Sequence, residues 1–294
     1  MNMKKFIILL SLISGMIFIV HAQQDQIRVI VIGAHPDDCD GDAGGTAILW
    51  AKMGHAVKFV SVTNGDAGHH EMGGGALAKR RMAEAMEAGK RFGVEYEVLD
   101  NHDGELTPDL KTRKEIIKLI REWNADVVIT HRPNDYHPDH RYTAMLVQDA
   151  AYMVIVPNIV PETPPLKENP VFLYSQDNFK KPNPFHPDIA VAIDDVIDQK
   201  IYAMSAHESQ YFEWLPWTMG MLDKVPEDDK ARLEFITQRY RGGVSDEIKE
   251  TLIKWYGDKN GLKVQYAEAF EICEFGRRPD ESEILRLFPM LGKN

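Results

Sequence analysis

Two short segments concentrate residue types that can hold and use a divalent cation. The first is His35-Pro36-Asp37-Asp38, inside "GAHPDDCD". The second is His137-Pro138-Asp139-His140, inside "HRPNDYHPDH". Imidazole and carboxylate are donors that suit Zn²⁺, and a catalytic zinc takes three protein ligands and leaves one position open. His35 and Asp38, three apart on a turn, can reach one ion, and His140 can supply the third ligand. Asp37 is then left beside the ion as a free carboxylate, placed to take a proton from a water whose pKa the ion lowers. His137 falls on the other side, where as imidazolium it could stabilise an oxyanion or protonate a leaving amine. Asp139 can orient one of the histidines from behind.

One such motif is a weak signal, because Pro and Asp are turn formers and Asp caps helices. The chain contains its own control: His186-Pro187-Asp188 precedes an apolar stretch without a second His or Asp partner, and reads as a turn into a strand. The inference rests on two motifs, each following a predicted strand.

Those strands belong to a regular alternation. Apolar or alternating runs at 27–33, 56–66, 94–100 and 125–131 read as strands, with helical segments at 44–54, 76–93, 107–124 and 141–156 between and after them. Thr107 reads as an N-cap with Pro108 at the first helical position. Strict alternation predicts an α/β fold, a Rossmann-like three-layer sandwich with a mostly parallel sheet. In such a sheet ligands bind beyond the carboxyl ends of the strands, where both motifs lie. After Val156 the rhythm changes to a proline-rich loop at 157–170, short strands at 171–175, 188–194 and 264–275, and helices at 195–207, 226–243 and 245–257: an elaborated C-terminal part. Gly41, Gly44 and Gly45 do not form a dinucleotide fingerprint.

The 294 residues carry a net charge of −11. That acidity speaks against a nucleic-acid partner. Residues 1–22 have the form of a secretory signal: Lys4 and Lys5, an apolar core from Phe6 to Val20, and the Val20-His21-Ala22 spacing of a cleavage site. This places the protein outside the cytoplasm, secreted or periplasmic, as a single domain over 23–294 with no membrane span in the mature chain. The two cysteines, Cys39 and Cys273, read as free thiols.

With both motifs in hand, the sequence resembles the PIG-L / LmbE-like family of metal-dependent deacetylases. "AHPDD" and "HPDH" are the family's signatures, "RRMAEAMEAGKRFG" resembles its R-x-x-E helix with Arg81 and Glu84, and "AMSAHESQ" and "YAEAF" resemble its C-terminal landmarks. The resemblance implies His35, Asp38 and His140 as metal ligands, Asp37 as general base, and His137 as the group acting on the oxyanion or leaving group. It also puts Arg81 and Asp103 (in "NHDGEL") where relatives contact sugar hydroxyls. The activity implied is zinc-dependent removal of an N-acetyl group from an N-acetylglucosamine-type substrate, free or part of a glycan, with other divalent metals fitting the same donors. A hydrolase of a different amide, and a carbohydrate-binding relative without catalysis, remain the alternatives. Relatives commonly carry Glu after the Asp pair, where this chain has Cys39-Asp40. His69 and His70 read as part of a Gly-rich lid, His207 as a helix-terminal cap or a site residue, and "QYFEWLPWTMG" as packing between helices. The sequence leaves the oligomeric state open.

Overall fold

A computed structural model describes residues 26–238 and 243–292; the expected signal segment lies outside them. In β1 (Arg28–Gly33), Val29 and Val31 enter one apolar cluster while Ile30 and Ile32 enter another. A strand with a core on each side has no solvent face, so it is written as a continuous apolar run. β2 (Ala56–Thr63), β3 (Glu95–Asn101), β4 (Val127–Thr130) and β5 (Val171–Ser175) follow in parallel. β6 (Ile189–Ala192) and β7 (Ala267–Ile272) complete a seven-stranded sheet of order β3-β2-β1-β4-β5-β7-β6, with β7 antiparallel to both neighbours.

One face is covered by α1 (Asp38–Lys52) and α2 (Gly74–Phe92), whose Cys39, Trp50, Ala88 and Phe92 lie in the first cluster. The opposite face is covered by α3 (Leu110–Trp123) and α4 (Pro138–Met153), through Ile116, Ile120, Leu146 and Val147. α5 (Ile197–Met204) returns to the first face. The expected three-layer, mostly parallel architecture is the one observed. The pairing that matters for the site is β1 with β4, where Ile32 lies opposite Thr130. The two motifs therefore leave neighbouring strands side by side. Among the described residues, no helix is long and apolar enough to cross a membrane.

Several element boundaries differ from expectation. α1 begins at Asp38, not at residue 44, so the second half of the charged octet is its first turn. Asp and Gly are poor helix formers, which masks this start in the sequence. Gly44 and Gly45 have a packing reason instead: a Cβ on Gly44 would lie 2.7 Å from Phe92, and one on Gly45 would lie 2.8 Å from Ile193. Here Glu268 of β7 accepts from the backbone N–H groups of Gly45 and Thr46, and Lys200 donates to Glu268 and to the Gly41 carbonyl. α3 is capped by Asp109, which accepts from Thr112 N, rather than by Thr107. α4 starts at Pro138, three residues before the expected position, with His137 as its N-cap. The proline-rich loop is ordered around buried Arg121, whose guanidinium donates to the carbonyls of Met153, Val154, Val156, Ile159, Val160 and Thr163. The expected helix over 226–243 is observed as Asp229–Thr237, and residues 239–242 lie outside the described part. Ser209–Trp214 form a π-helix that 3.6-residue periodicity does not reveal.

Candidate active site

The turn between β1 and α1 sets the site. Asp38 opens α1 with Oδ2 turned back to accept from Ala34 N–H at 2.9 Å and His35 N–H at 2.7 Å. That oxygen lies 3.3 Å from His35 Nδ1 and 3.5 Å from His140 Nε2, and the two nitrogens are 3.2 Å apart. Three donor atoms thus close a triangle with nearly equal sides. An ion with tetrahedral ligands at about 2.0–2.1 Å needs donors about 3.3–3.4 Å apart. Two imidazole nitrogens facing each other at this distance need a proton or a cation between them. Other groupings of three donors within 4.8 Å share these residues: His35–His137–His140, Asp38–His131–His140 and His35–Asp103–Asp139.

The outward nitrogens of both histidines meet carboxylates. His35 Nε2 lies 3.1 Å from Asp103 Oδ1 and 3.4 Å from Asp139 Oδ2, and His140 Nδ1 lies 3.2 Å from Asp135 Oδ1. The carboxylates stand at contact distance without hydrogen-bond geometry, and a small tilt of either ring would complete the N–H donation that leaves the other nitrogen's lone pair pointing inward. Asp139 is fully buried and also accepts from Gly104 N–H at 2.7 Å. Burial works against the charge of Asp38, but His140, His35 and His131 outweigh it and hold its carboxyl well below the usual range. Burial likewise opposes charge on His35, yet the carboxylates of Asp38, Asp103 and Asp139 raise its pKa well above the ordinary value. The cluster favours positive charge at its centre, and the donor set fits a divalent ion.

Asp37 occupies the N-cap position of α1 but makes no capping hydrogen bond. Its Oδ1 accepts instead from Arg81 Nη2 at 2.7 Å. Burial pushes its carboxyl above the usual range, with Arg81 pulling it back. Arg81 is 2% exposed and lies 3.6 Å from Asp103 Oδ2, and Asp103 turns toward His35. The charged ends of these two residues, expected against sugar hydroxyls, face Asp37 and His35 at the edge of the donor triangle.

His137 caps α4, its Nδ1 accepting from Asp139 N–H at 3.2 Å. That leaves the proton of the neutral ring on Nε2. Burial, then repulsion from His35 and His140, lower its pKa. Both effects work against the expected imidazolium, and the ring stands edge-on to His35 at 4.6 Å.

Sequence reasoning missed three residues here. His131 follows β4 and stacks on His140, and Asp42 lies behind it. Asp135 supports His140 and accepts from His137 N–H. All three lie within or beside the motifs, but only the strand order brings them together. The remaining candidates have structural partners. Cys39 packs in the core and donates to Val31 O, and both cysteines are free. Asp40 is fully buried between Tyr96 Oη (2.9 Å) and His207 Nε2 (2.8 Å). His69 pairs with Glu213 of the π-helix at 2.8 Å, and His70 stacks on Trp217.

Comparison with known proteins points the same way. The family model for GlcNAc-PI de-N-acetylase (PIG-L) matches residues 30–151, which include both motifs. The diacetylchitobiose deacetylase of Thermococcus kodakarensis is 32% identical over 206 residues, covering 66% of this chain and 74% of that protein. The 4-oxalmesaconate hydratase of Pseudomonas putida is 25% identical over 207 residues, covering 68% and 80%. The solved structure of N,N'-diacetylchitobiose deacetylase from Pyrococcus horikoshii superposes with a TM-score of 0.63 at 25% identity, covering 86% of this chain and 85% of that one.

Proposed function

The chain belongs to the PIG-L family, and from that premise we propose that it is a zinc-dependent hydrolase removing the N-acetyl group of an N-acetylglucosamine-type substrate. The observation that carries this reading is the triangle of His35 Nδ1, Asp38 Oδ2 and His140 Nε2, with sides of 3.2–3.5 Å and the uncapped carboxylate of Asp37 on the adjacent residue. A zinc ion held by these residues supplies a Lewis acid that polarises the acetyl carbonyl and lowers the pKa of water toward neutrality.

The chain's own groups then have separate tasks. Asp37, kept available as a base by Arg81, removes a proton from the attacking water and returns it to the amide nitrogen as the C–N bond breaks, releasing acetate and the free amine. His137 donates from Nε2 to the oxygen on which negative charge develops. Asp103 and Asp139 hold His35, and Asp135 holds His140, in the orientation that aims their lone pairs inward. We place the mature protein outside the cytoplasm, on the signal-like residues 1–22.

The match to a hydratase supports a second reading, in which the same site adds water to a carbon–carbon double bond. Incubating the zinc-loaded protein with N,N'-diacetylchitobiose and, separately, with an unsaturated dicarboxylic acid distinguishes the two. Stoichiometric acetate and free amine support the deacetylase; loss of the conjugated absorbance without acetate replaces it with the hydratase. N-terminal sequencing of the exported protein tests the location.

A further inference from the structure

His131 belongs to neither motif, yet it touches the site through its edges and its face. It is the first residue after β4, and the β4–β5 register sets Thr130 opposite Tyr174, so Ser175 lies level with it. Its Nε2 is 3.2 Å from Asp38 Oδ2, and its Nδ1 is 3.4 Å from Asp42 Oδ2. Asp42 in turn accepts from Ser175 Oγ at 2.7 Å. A line of polar contacts therefore runs from β5 through Asp42 and His131 to Asp38, and His131 itself is only 6% exposed.

Could His131 be a ligand instead, as part of the set Asp38–His131–His140? Its ring is parallel to that of His140, with centroids 4.2 Å apart and an interplanar angle of 1°. An imidazole nitrogen binds an ion in the plane of its ring, along the lone pair. Two parallel, stacked planes do not meet, so one ion cannot lie in both. His140 converges with His35 and Asp38, and His131 does not.

We infer that His131 is a positioning residue: it holds Asp38 Oδ2, the oxygen of the donor triangle, braced by Asp42 and Ser175, and so sets metal affinity without binding metal. This rests on the metal reading above. The Ala34 N–H donates to Asp38 Oδ2 at 2.9 Å, and with its proton on Nε2 His131 donates to the same oxygen at 3.2 Å, so both donors converge on it at the β1 turn.

The test is zinc affinity, measured by competition with a chromophoric chelator, in the full chain and in His131→Ala, His131→Gln and His131→Asn. A Gln amide reaches toward the former Nε2 position and the contact with Asp38; an Asn amide reaches only toward the former Nδ1 position and Asp42. The expected result is affinity about 10–100-fold weaker in the Ala and Asn variants, as for outer-shell partners in other zinc sites, with much of it restored by Gln. Unchanged affinity in all three variants, or an equal loss in all three, overturns the inference while leaving the metal reading intact. A wild-type protein that takes up no zinc overturns both. Thermal unfolding accompanies each titration, and if the Ala variant does not fold, the Gln–Asn pair carries the comparison.

Discussion

Arg81 donates from Nη2 to Asp37 Oδ1 at 2.7 Å, from a guanidinium on the second helix of the fold that is 2% exposed. An aspartate at a helix N-cap ordinarily accepts from the first turn. Asp37 forgoes that bond and accepts instead from an arginine 44 residues away. Under the proposed function, a carboxylate held this way is left free of the helix for proton transfer.

A pH profile reads this pairing directly. Burial raises the pKa of Asp37 and Arg81 opposes the rise. A base must be ionised, so activity falls as pH drops through its pKa. Removing the guanidinium favours the protonated form, and Arg81→Met should move the acidic limb of kcat/KM to higher pH while zinc content stays the same. A limb that stays in place, or moves to lower pH, removes Arg81 from this role.

Gly65 makes a second route to the same defect. Its φ is +68°, and a Cβ there would lie 2.5 Å from Arg81 Nη1. Gly65→Ala should displace the guanidinium, reproduce the shifted limb, and lower stability by about 1 kcal/mol or more, since alanine is strained at positive φ. Urea unfolding together with the pH profile checks both parts.

His140→Ala removes one corner of the donor triangle and leaves His35 and Asp38 facing an incomplete site. The purified variant should contain far less than one zinc per chain by elemental analysis, and added zinc should not restore turnover. Stoichiometric zinc in this variant would falsify the ligand set.

The buried Asp40–His207 pair carries a stability signature. Burial lowers the His207 pKa, but Asp40 raises it by more, so the net shift is upward from 6.5. A histidine whose folded pKa is raised contributes stability that is complete below its unfolded pKa, about 6.5, and is lost as pH rises through the folded value. The difference in Tm between wild type and His207→Gln should therefore narrow as pH rises from about 6 to about 9. A difference that widens over that range contradicts the pairing.

Much of this was legible in the chain. Continuous apolar runs before "HPDD" and "HRPNDY" marked two buried strands, and two motifs at their ends named the donor triangle. What the sequence did not show were relations set by strand order and by distant contacts. His131 is one histidine at a strand end until β4 lies between β1 and β5 with Asp42 above it. Nothing in the helix of Arg81 indicates that its guanidinium turns inward to Asp37. The tautomer of neutral His137 depends on its capping bond, which in turn depends on where α4 starts. Cys39 and Asp40, unexplained as part of a charged octet, are the first buried face of a helix, packing into the core and pairing with Tyr96 and His207.

The most direct test is Asp37→Asn, assayed for zinc content and acetate release in the same sample. The exchange keeps the shape of the side chain, an acceptor for Arg81 and the whole donor triangle, and removes only the basicity. The account predicts one zinc per chain and turnover lower by about 10²–10⁴-fold, the usual contribution of general base catalysis. Full turnover in the zinc-loaded variant would contradict it.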